Sequence, residues 1–347
     1  MGTKTVAIGM SGGVDSSAAA MLLKERDWNV IGVTLRLWDN PLAGGAAEDD
    51  ARRVADAIGI PHFVLDIRDM FIENVIDPFA AAYIAGRTPN PCILCNRHIK
   101  WEALLTWALA NGAEAIATGH YARVQRLEEN GRYTLQQSPG GKDQSYALYR
   151  LTQEQLARTV MPLWGMTKDE VRSYAVLHGL PVANKPDSQE ICFVPDRDYA
   201  AFVERHTGKA AVPGDFVDAS GKALARHGGI THYTIGQRKG LGVAFGKPVF
   251  VTEICPAANT VVLGTDVDLH RRHVTAGEVC FMGIAAFEGE IRAKGKIRYN
   301  QTPADCSLRY ENGLLECEFD EPQRAITPGQ AVVFYRGDYV LCGGTIQ

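Results

Sequence analysis

At 347 residues the chain exceeds one ordinary hydrophobic core, so two or three domains are expected. Its 46% hydrophobic and 22% charged content is that of a globular protein, and 35 glycines with 16 prolines exclude a collagen-like or low-complexity polymer. A net charge of −4 argues against a broadly basic nucleic-acid coat, so any RNA contact is local.

Taken in chain order, Thr5–Gly9 reads as a strand, Ser16–Asp27 as a helix and Asn29–Leu37 as a second strand. Glu48–Ile58 predicts a helix, His62–Asp66 a strand, Asp69–Ala85 and Asn96–Ala110 helices, and Ala115–Thr118 a strand. This alternation implies crossover units and a parallel sheet covered on both faces. Thr167 with Glu170 three residues on forms a capping box for a helix ending near Gly179. Further on, glycine and β-branched residues increase. Thr252–Leu263, Val274–Gly283, Gly289–Tyr299 and Ala331–Cys342 read as strands, the spacing of a small barrel or sandwich. The expected organisation is an α/β domain over 1–199, a compact central module over 200–267 and an all-β module over 268–347.

Between the first strand and first helix stands Gly9-Met10-Ser11-Gly12-Gly13-Val14-Asp15-Ser16-Ser17. Gly12 and Gly13 let backbone N–H groups approach an oxygen, Ser11, Ser16 and Ser17 add hydroxyls, and the helix dipole favours an anion. It is not a Walker A loop, since no Gly-Lys-Ser/Thr follows. Its glycine spacing also fails the dinucleotide fingerprint. Asp15 is an odd neighbour for phosphates unless a cation bridges them, so it is the candidate Mg²⁺ ligand. A serine-glycine turn capping a helix is the plainer alternative. The complete run, however, resembles the PP-loop of the ATP pyrophosphatases, which implies an adenine nucleotide alpha hydrolase-like fold and cleavage of ATP between its α and β phosphates.

No run approaches ~18 uninterrupted apolar residues, no basic-then-apolar leader is present, and Val6 stands where a myristoylation signal needs Ser or Thr. The expectation is a cytoplasmic protein without membrane contact, whose eight cysteines are mostly reduced. Thr88-Pro89-Asn90-Pro91-Cys92-Ile93-Leu94-Cys95-Asn96-Arg97 is a proline-stiffened loop entering a helix. Cys95, near a helix start with Arg97 and His98 close in sequence, is expected to have a lowered pKa and to be reactive. Cys192 lies in Ser188-Gln189-Glu190-Ile191-Cys192-Phe193. Cys255, Cys280, Cys306, Cys317 and Cys342 read as small buried hydrophobes. The Cys92–Cys95 spacing alone leaves open a redox pair, half a zinc site or part of an iron–sulfur site.

These motifs recur in one order with Ala117-Thr118-Gly119-His120-Tyr121, Lys142-Asp143-Gln144-Ser145-Tyr146, Tyr233-Thr234-Ile235-Gly236-Gln237-Arg238-Lys239-Gly240-Leu241-Gly242 and Pro328-Gly329-Gln330-Ala331-Val332. Together they resemble the tRNA-specific 2-thiouridylases almost end to end. The resemblance implies a PP-loop domain, a small central domain and a terminal β-barrel. It implies ATP-dependent sulfuration of the wobble uridine, U34, at C2: ATP adenylates the C2 oxygen, and AMP and pyrophosphate are released. It implies a persulfide on Cys192, and Cys95 as the other catalytic thiol, releasing sulfur by disulfide formation with Cys192. Implied ATP contacts are Gly9, Met10, Ser11, Gly12, Gly13, Val14, Asp15, Ser16, Leu35 and Gly119. Asn90, Pro91 and Cys92 border the target base, and His120, Lys142, Asp143, Gln144, Arg298, Tyr299 and Gln330 meet tRNA. The implied partners are tRNA and a sulfur-donor protein, a cysteine desulfurase or a relay protein.

The family's common form carries Asp where this chain has Cys92. The resulting Cys92, Cys95 and Cys192 set resembles the [4Fe–4S] sites of other tRNA thiolation enzymes, where an open iron binds sulfide. Both sulfur routes follow from the resemblance. Lys222, Arg226, Arg238, Lys239 and Lys247 in the central module, and Arg292, Lys294, Lys296 and Arg298 alternating along one strand, are candidate phosphate contacts. Two other functions compete: a PP-loop adenylating ligase or synthetase with a small-molecule substrate, and a non-catalytic RNA-binding or metal-storing protein. The three cysteines argue against the first, and the intact Asp15 loop against the second.

Overall fold

A computed structural model describes residues 4–38, 45–186, 191–243 and 245–347. The segment Ser188-Gln189-Glu190 therefore lies outside the described residues. The chain opens with β1 (Thr5–Gly9), α1 (Val14–Glu25), β2 (Asn29–Arg36), α2 (Ala46–Ile58) and β3 (His62–Asp66). Two helical rods follow. The first runs α3 (Arg68–Phe71), a π-helical turn (Ile72–Ile76) and α4 (Asp77–Ile84); the second runs α5 (Pro91–Leu94), a π-helical stretch (Cys95–Ala103) and α6 (Leu104–Ala110). β4 (Ala115–Ala117) precedes a hairpin of β5 (Ala122–Arg126) and β6 (Tyr133–Gln137), then α7 (Gln153–Ala157), β7 (Thr159–Val160), α8 (Lys168–Leu177) and α9 (Tyr199–Thr207).

β3-β2-β1-β4-β7 form one sheet, and every pairing in it is parallel. Val6, Ala7, Ile8 and Val33 in its central strands are fully buried, as branched and small residues covered on both faces must be. Chain direction across the sheet reverses at β1, which lies between β2 and β4. The carboxyl ends of β1 and β4 therefore flank the switch-point crevice where an α/β sheet takes its ligand.

The second half holds β8 (Gly214–Val217), β9 (Ala223–His227), β10 (Phe250–Cys255) and β11 (Thr260–Gly264) in a four-stranded sheet ordered β10-β11-β8-β9. Then come β12 (His270–Phe281), β13 (Glu290–Lys296), β14 (Ala304–Glu311), β15 (Leu314–Arg324), β16 (Ala331–Arg336) and β17 (Tyr339–Ile346). These six pair in the order β12-β15-β14-β13-β16-β17, and β12–β17 pairing closes the barrel. The core of the barrel includes Leu308, Leu315, Phe319, Phe334 and Leu341, each fully buried.

Two expected strands are corrected to hairpins. Thr252–Leu263 breaks at the Pro256–Ala258 turn, where Asn259 takes φ 50°, and gives β10 and β11. Ala331–Cys342 breaks at Gly337, with φ 59°, and gives β16 and β17. The β5–β6 hairpin was not foreseen. It joins the barrel sheet through Tyr339 opposite Gln136, so the first and last parts of the chain share one sheet.

Candidate active site

The crevice at the ends of β1 and β4 is a cavity of about 240 Å³. Its walls include Gly9, Met10, Ser11, Asp15, Ser16, Leu35 and Gly119 from the expected nucleotide set, with His120 and Gln144 from the expected tRNA set. Gly12, Gly13 and Val14 stand behind them in the same loop. Gly12 has φ 68°, and a Cβ there would lie 2.4 Å from the Ala47 carbonyl oxygen, so glycine is required on both counts. A Cβ on Gly119 would lie 2.7 Å from the backbone of Asp15 and Ser16, so this residue lets the β4 loop close against the start of α1. Ser16 Oγ accepts from the Ser11 amide at 3.2 Å and donates to the Gly13 carbonyl at 3.2 Å. Ser17 is fully buried and donates to the same carbonyl at 2.8 Å, so its hydroxyl shapes the loop instead of facing the cavity.

Asp15 is surrounded by donors. Tyr121 donates its hydroxyl at 2.7 Å, Lys168 Nζ lies at 2.6 Å and Lys142 Nζ at 3.5 Å. A carboxylate suits Mg²⁺ in its chemistry, yet both oxygens here face ammonium or phenol donors, and among the described residues no group of three or more His, Cys, Asp or Glu gathers around it to hold a cation. Lys185 braces the loop from another side, donating to the Gly12 carbonyl at 3.0 Å and to Asp50 at 2.6 Å. That contact holds the Asp50 carboxyl below its usual range. His120 is half-buried beside Trp101; burial, then Lys100 and Lys142, hold its imidazole well below the usual value, so it is neutral at pH 7.

The loop with the paired cysteines is fixed locally. The Asn90 side chain caps the helix by accepting from the Cys92 amide at 3.2 Å, and Pro91 is buried in the first turn. Cys95 opens the π-helical stretch, a distortion that recurs at functional sites. The expectation of a low thiol pKa is corrected. Cys95 is buried in the cluster of Phe71, Phe79 and Phe193, and Arg97 turns away to Glu102 at 3.7 Å. Burial pushes the Cys95 thiol up to about 12, with Lys100 pulling the other way. Cys192 is solvent-exposed but ringed by protein, and loss of solvation pushes it up to about 11. The Cys192 and Cys92 sulfurs both act electrostatically on Cys95, and Lys100 acts on Cys95 and Cys192 alike. The three sulfurs are therefore gathered next to a cavity wall, Lys100, and all are free thiols. They do not form a cluster site as they stand. Among the described residues no group of three or more His, Cys, Asp or Glu is placed to hold a metal ion, and burial favours the thiol over the thiolate that iron takes.

A second concavity of about 440 Å³ gathers Arg298, Tyr299 and Gln330 with Thr88, Thr234, Gly236 and Arg324. Asp143, by contrast, is occupied within the fold: it accepts from the Ser138 and Ser145 amides at 3.2 and 3.1 Å and from Ser145 Oγ at 2.8 Å. Gln144 accepts from the Tyr121 amide at 2.9 Å. The expected basic strand face is also corrected. Arg292 pairs with Asp320 at 2.8 Å, Lys294 with Asp305 at 3.6 Å, and Lys296 is buried over the Tyr146 and Tyr299 rings at 5.7 and 5.6 Å. In the central module Arg226 is paired with Asp215 at 3.0 Å, while Lys222, Arg238, Lys239 and Lys247 are exposed. Sequence reasoning missed Lys100, Lys168 and Lys185, because a lone lysine carries no motif. No helix of the described residues is long and apolar enough to cross a membrane.

Three family models match in succession: a tRNA methyl transferase HUP domain over residues 4–196, a tRNA methyl transferase PRC-barrel domain over 200–265, and an aminomethyltransferase β-barrel domain over 271–346. A tRNA-specific 2-thiouridylase MnmA of Lachnoclostridium phytofermentans is 54% identical, covering 99% of both chains. Those of Clostridioides difficile and Acetivibrio thermocellus are 50% and 49% identical, over 99% and 100% of this chain and 98% and 100% of theirs. With a PP-loop sheet, a PRC-barrel and a closed β-barrel in that order, and identity of this extent along the whole length, the chain belongs to the tRNA-specific 2-thiouridylase family.

Proposed function

We propose that the chain thiolates C2 of the wobble uridine of tRNA, cleaving ATP to AMP and pyrophosphate, by a persulfide route. The observation that carries this reading is the position of Lys100, which lines the cavity at the phosphate loop and also acts on Cys95 and Cys192. One site thus adjoins both an adenylating pocket and a pair of sulfur carriers. The uridine C2 oxygen attacks the α-phosphate, pyrophosphate departs, and the oxygen leaves C2 later as AMP. Cys192, the exposed member of the pair, receives sulfur from a donor protein, a cysteine desulfurase or relay protein. The terminal persulfide sulfur bonds to C2 as AMP takes the C–O electrons. Cys95 then attacks the Cys192 sulfur, the bond to the transferred sulfur breaks with its electrons going to that sulfur, and a Cys95–Cys192 disulfide remains for a thiol reductant to reopen.

The target base must leave its stack to reach this chemistry, and the stiff Asn90–Pro91–Cys92 turn is suited to border it. Arg298, Tyr299 and Gln330 share a groove with Thr88, just before that turn, which supports tRNA binding there. Lys142, His120 and Gln144 stand at the nucleotide end, so their tRNA contact is with the reacting nucleotide, and Asp143 positions the segment through its backbone bonds.

The test combines protein, ATP, Mg²⁺, a sulfur source and unmodified tRNA, followed by nucleoside analysis. The expected result is 2-thiouridine only when ATP is present, and none with Cys192→Ser. Stoichiometric iron and acid-labile sulfide in protein purified without oxygen would replace the persulfide route with a cluster. Adenylation of a small metabolite without tRNA would instead favour the ligase reading.

A further inference from the structure

We propose that Lys100 is a catalytic residue whose ammonium group binds the α-phosphate of ATP and then the phosphate of the AMP that leaves the uridine. The inference rests on the reading of the cavity as an ATP site. It concerns a lysine that no motif marks, on the helical rod that also carries the paired cysteines.

Lys100 reaches the cavity because this rod changes pitch. In the π-helical stretch Cys95–Ala103 the i to i+5 register brings Cys95 and Lys100 toward one face, and Leu104, the first residue of α6, follows four positions on. Lys100 and Leu104 both line the nucleotide cavity. Cys95 packs in the neighbouring cluster of Phe71, Phe79 and Phe193, and Ile191, next to Cys192, packs against the same cluster. Leu35 and Leu37 belong to both regions, since they line the cavity and pack against the Cys95 cluster. Lys100 thus stands on the wall that the nucleotide cavity shares with the sulfur carriers, and its charge reaches Cys95, Cys192 and His120.

That charge is unmet within the chain. Asp15 and Lys100 are the ionised residues of the cavity wall, His120 being neutral, and Asp15 faces Lys142 and Lys168. Among the described residues Lys100 has no carboxylate within ion-pair distance and no hydrogen-bond acceptor for its half-buried ammonium group. A bound anion offsets the solvation that such a group has lost.

The chemistry selects the anion. During sulfur transfer C2 of the uridine is still bonded to the oxygen on the α-phosphorus while its bond to sulfur forms. The α-phosphate therefore lies between the nucleotide and the sulfur carriers, at the shared wall. The β and γ phosphates extend the other way, to Ser11, Ser16 and the start of α1, where the helix dipole favours an anion. In the first step the uridine O2 attacks the α-phosphorus, the bridging oxygen departs with pyrophosphate, and the N3 proton passes to solvent until the thione forms. Lys100 stabilises the charge on the non-bridging oxygens of the five-coordinate phosphorus. In the second step the C2–O bond breaks with its electron pair going to oxygen, and the same ammonium holds the AMP dianion. Lys100 gives up no proton in either step.

The probes are AMP and adenosine, which differ by this phosphate alone, titrated calorimetrically into the full chain. Lys100→Gln should weaken AMP about tenfold, the size of a charged hydrogen bond, and leave adenosine unchanged. Lys100→Arg should keep AMP affinity within about threefold, because the charge remains. Single-turnover release of pyrophosphate with unmodified tRNA should fall about a hundredfold in Lys100→Gln. Unchanged AMP affinity in Lys100→Gln overturns the assignment while the ATP site stands, and slowed alkylation of Cys192 in that variant would then place the lysine with the sulfurs. If the glutamine variant does not fold, the wild type decides: AMP should protect Lys100 from acetylation by acetic anhydride, read by peptide mapping, and adenosine should not. Equal protection by both, or by neither, overturns the assignment. Wild-type protein that binds neither AMP nor adenosine removes the nucleotide reading, and this inference with it.

Discussion

Gln330 on the barrel donates from Nε2 to the backbone carbonyl of Thr88 at 2.8 Å, and so ties the last domain to the loop that carries Cys92 and Cys95. The Thr88 amide returns a bond to the Pro328 carbonyl at 2.9 Å. Gly329 between them has φ 90°, and a Cβ there would stand 3.0 Å from the Thr88 nitrogen. Gln330→Ala removes about 1 kcal/mol of net hydrogen bonding and should lower the thiolation rate about fivefold. ATP binding should be unchanged, because the brace does not touch the nucleotide cavity. Steady-state thiolation with ATP and tRNA varied separately checks this; an effect confined to the ATP KM contradicts it.

Gly119→Ala makes the opposite split. The added methyl would lie 2.7 Å from backbone atoms of Asp15 and Ser16, which no side-chain rotation relieves. Overpacking of this kind costs about 1–3 kcal/mol, here applied to the phosphate loop itself. ATP affinity should fall more than tenfold, while binding of unmodified tRNA in a gel-shift assay stays near wild type. Loss of both together would place Gly119 in general folding.

Burial raises the thiols of both Cys192 and Cys95, so their thiolate fractions are small at neutral pH and grow as pH approaches 11 at Cys192 and 12 at Cys95. A raised acid pKa favours the protonated form in the fold, so alkylation by iodoacetamide should accelerate with pH throughout the range from 7 to about 10. Cys192 should react before Cys95 at every pH, because only it is exposed. Peptide mapping after timed quenching reads both rates. A rate plateau at Cys95 below pH 8 would mean a thiolate stabilised by contacts absent here.

The α/β half was legible because its strands are short apolar runs separated by helix-length polar patterns. β1 and β3 begin and end at the residues the pattern indicates. The β5–β6 hairpin was not, since Arg123, Gln125 and Arg126 interrupt its apolar pattern and its outer partner, Tyr339, lies some two hundred residues away. The Cys95 misreading has a specific cause. Proximity of Arg97 in sequence suggested a cationic neighbour, but the helix directs that guanidinium to Glu102 and leaves the sulfur among phenyl rings. Lys100 was overlooked although it is five residues from Cys95. In a regular α-helix five residues turn about 140° past one full revolution, whereas the π-helical register bonds residue i to i+5 and brings the two toward one face.

The same contrast between sequence spacing and spatial partnership separates the cations of β13 in an RNA-binding experiment. Arg292 and Lys294 alternate along the strand, but each already faces a carboxylate, Asp320 on β15 one strand beyond β14 or Asp305 on the adjoining β14. Arg298 has left the strand, donates to the Ala325 carbonyl at 2.6 Å and lines the groove beside Thr88. A phosphate contact contributes about one unit to the slope of log affinity against log salt. Arg298→Ala should therefore reduce that slope by about one and weaken tRNA binding at low salt. Arg292→Ala and Lys294→Ala should leave both quantities at wild-type values, since pairing with Asp320 and Asp305 already meets their charge. If the pair lowers the slope as much as Arg298 does, the RNA path runs along the outer barrel face instead of through the groove at Thr88.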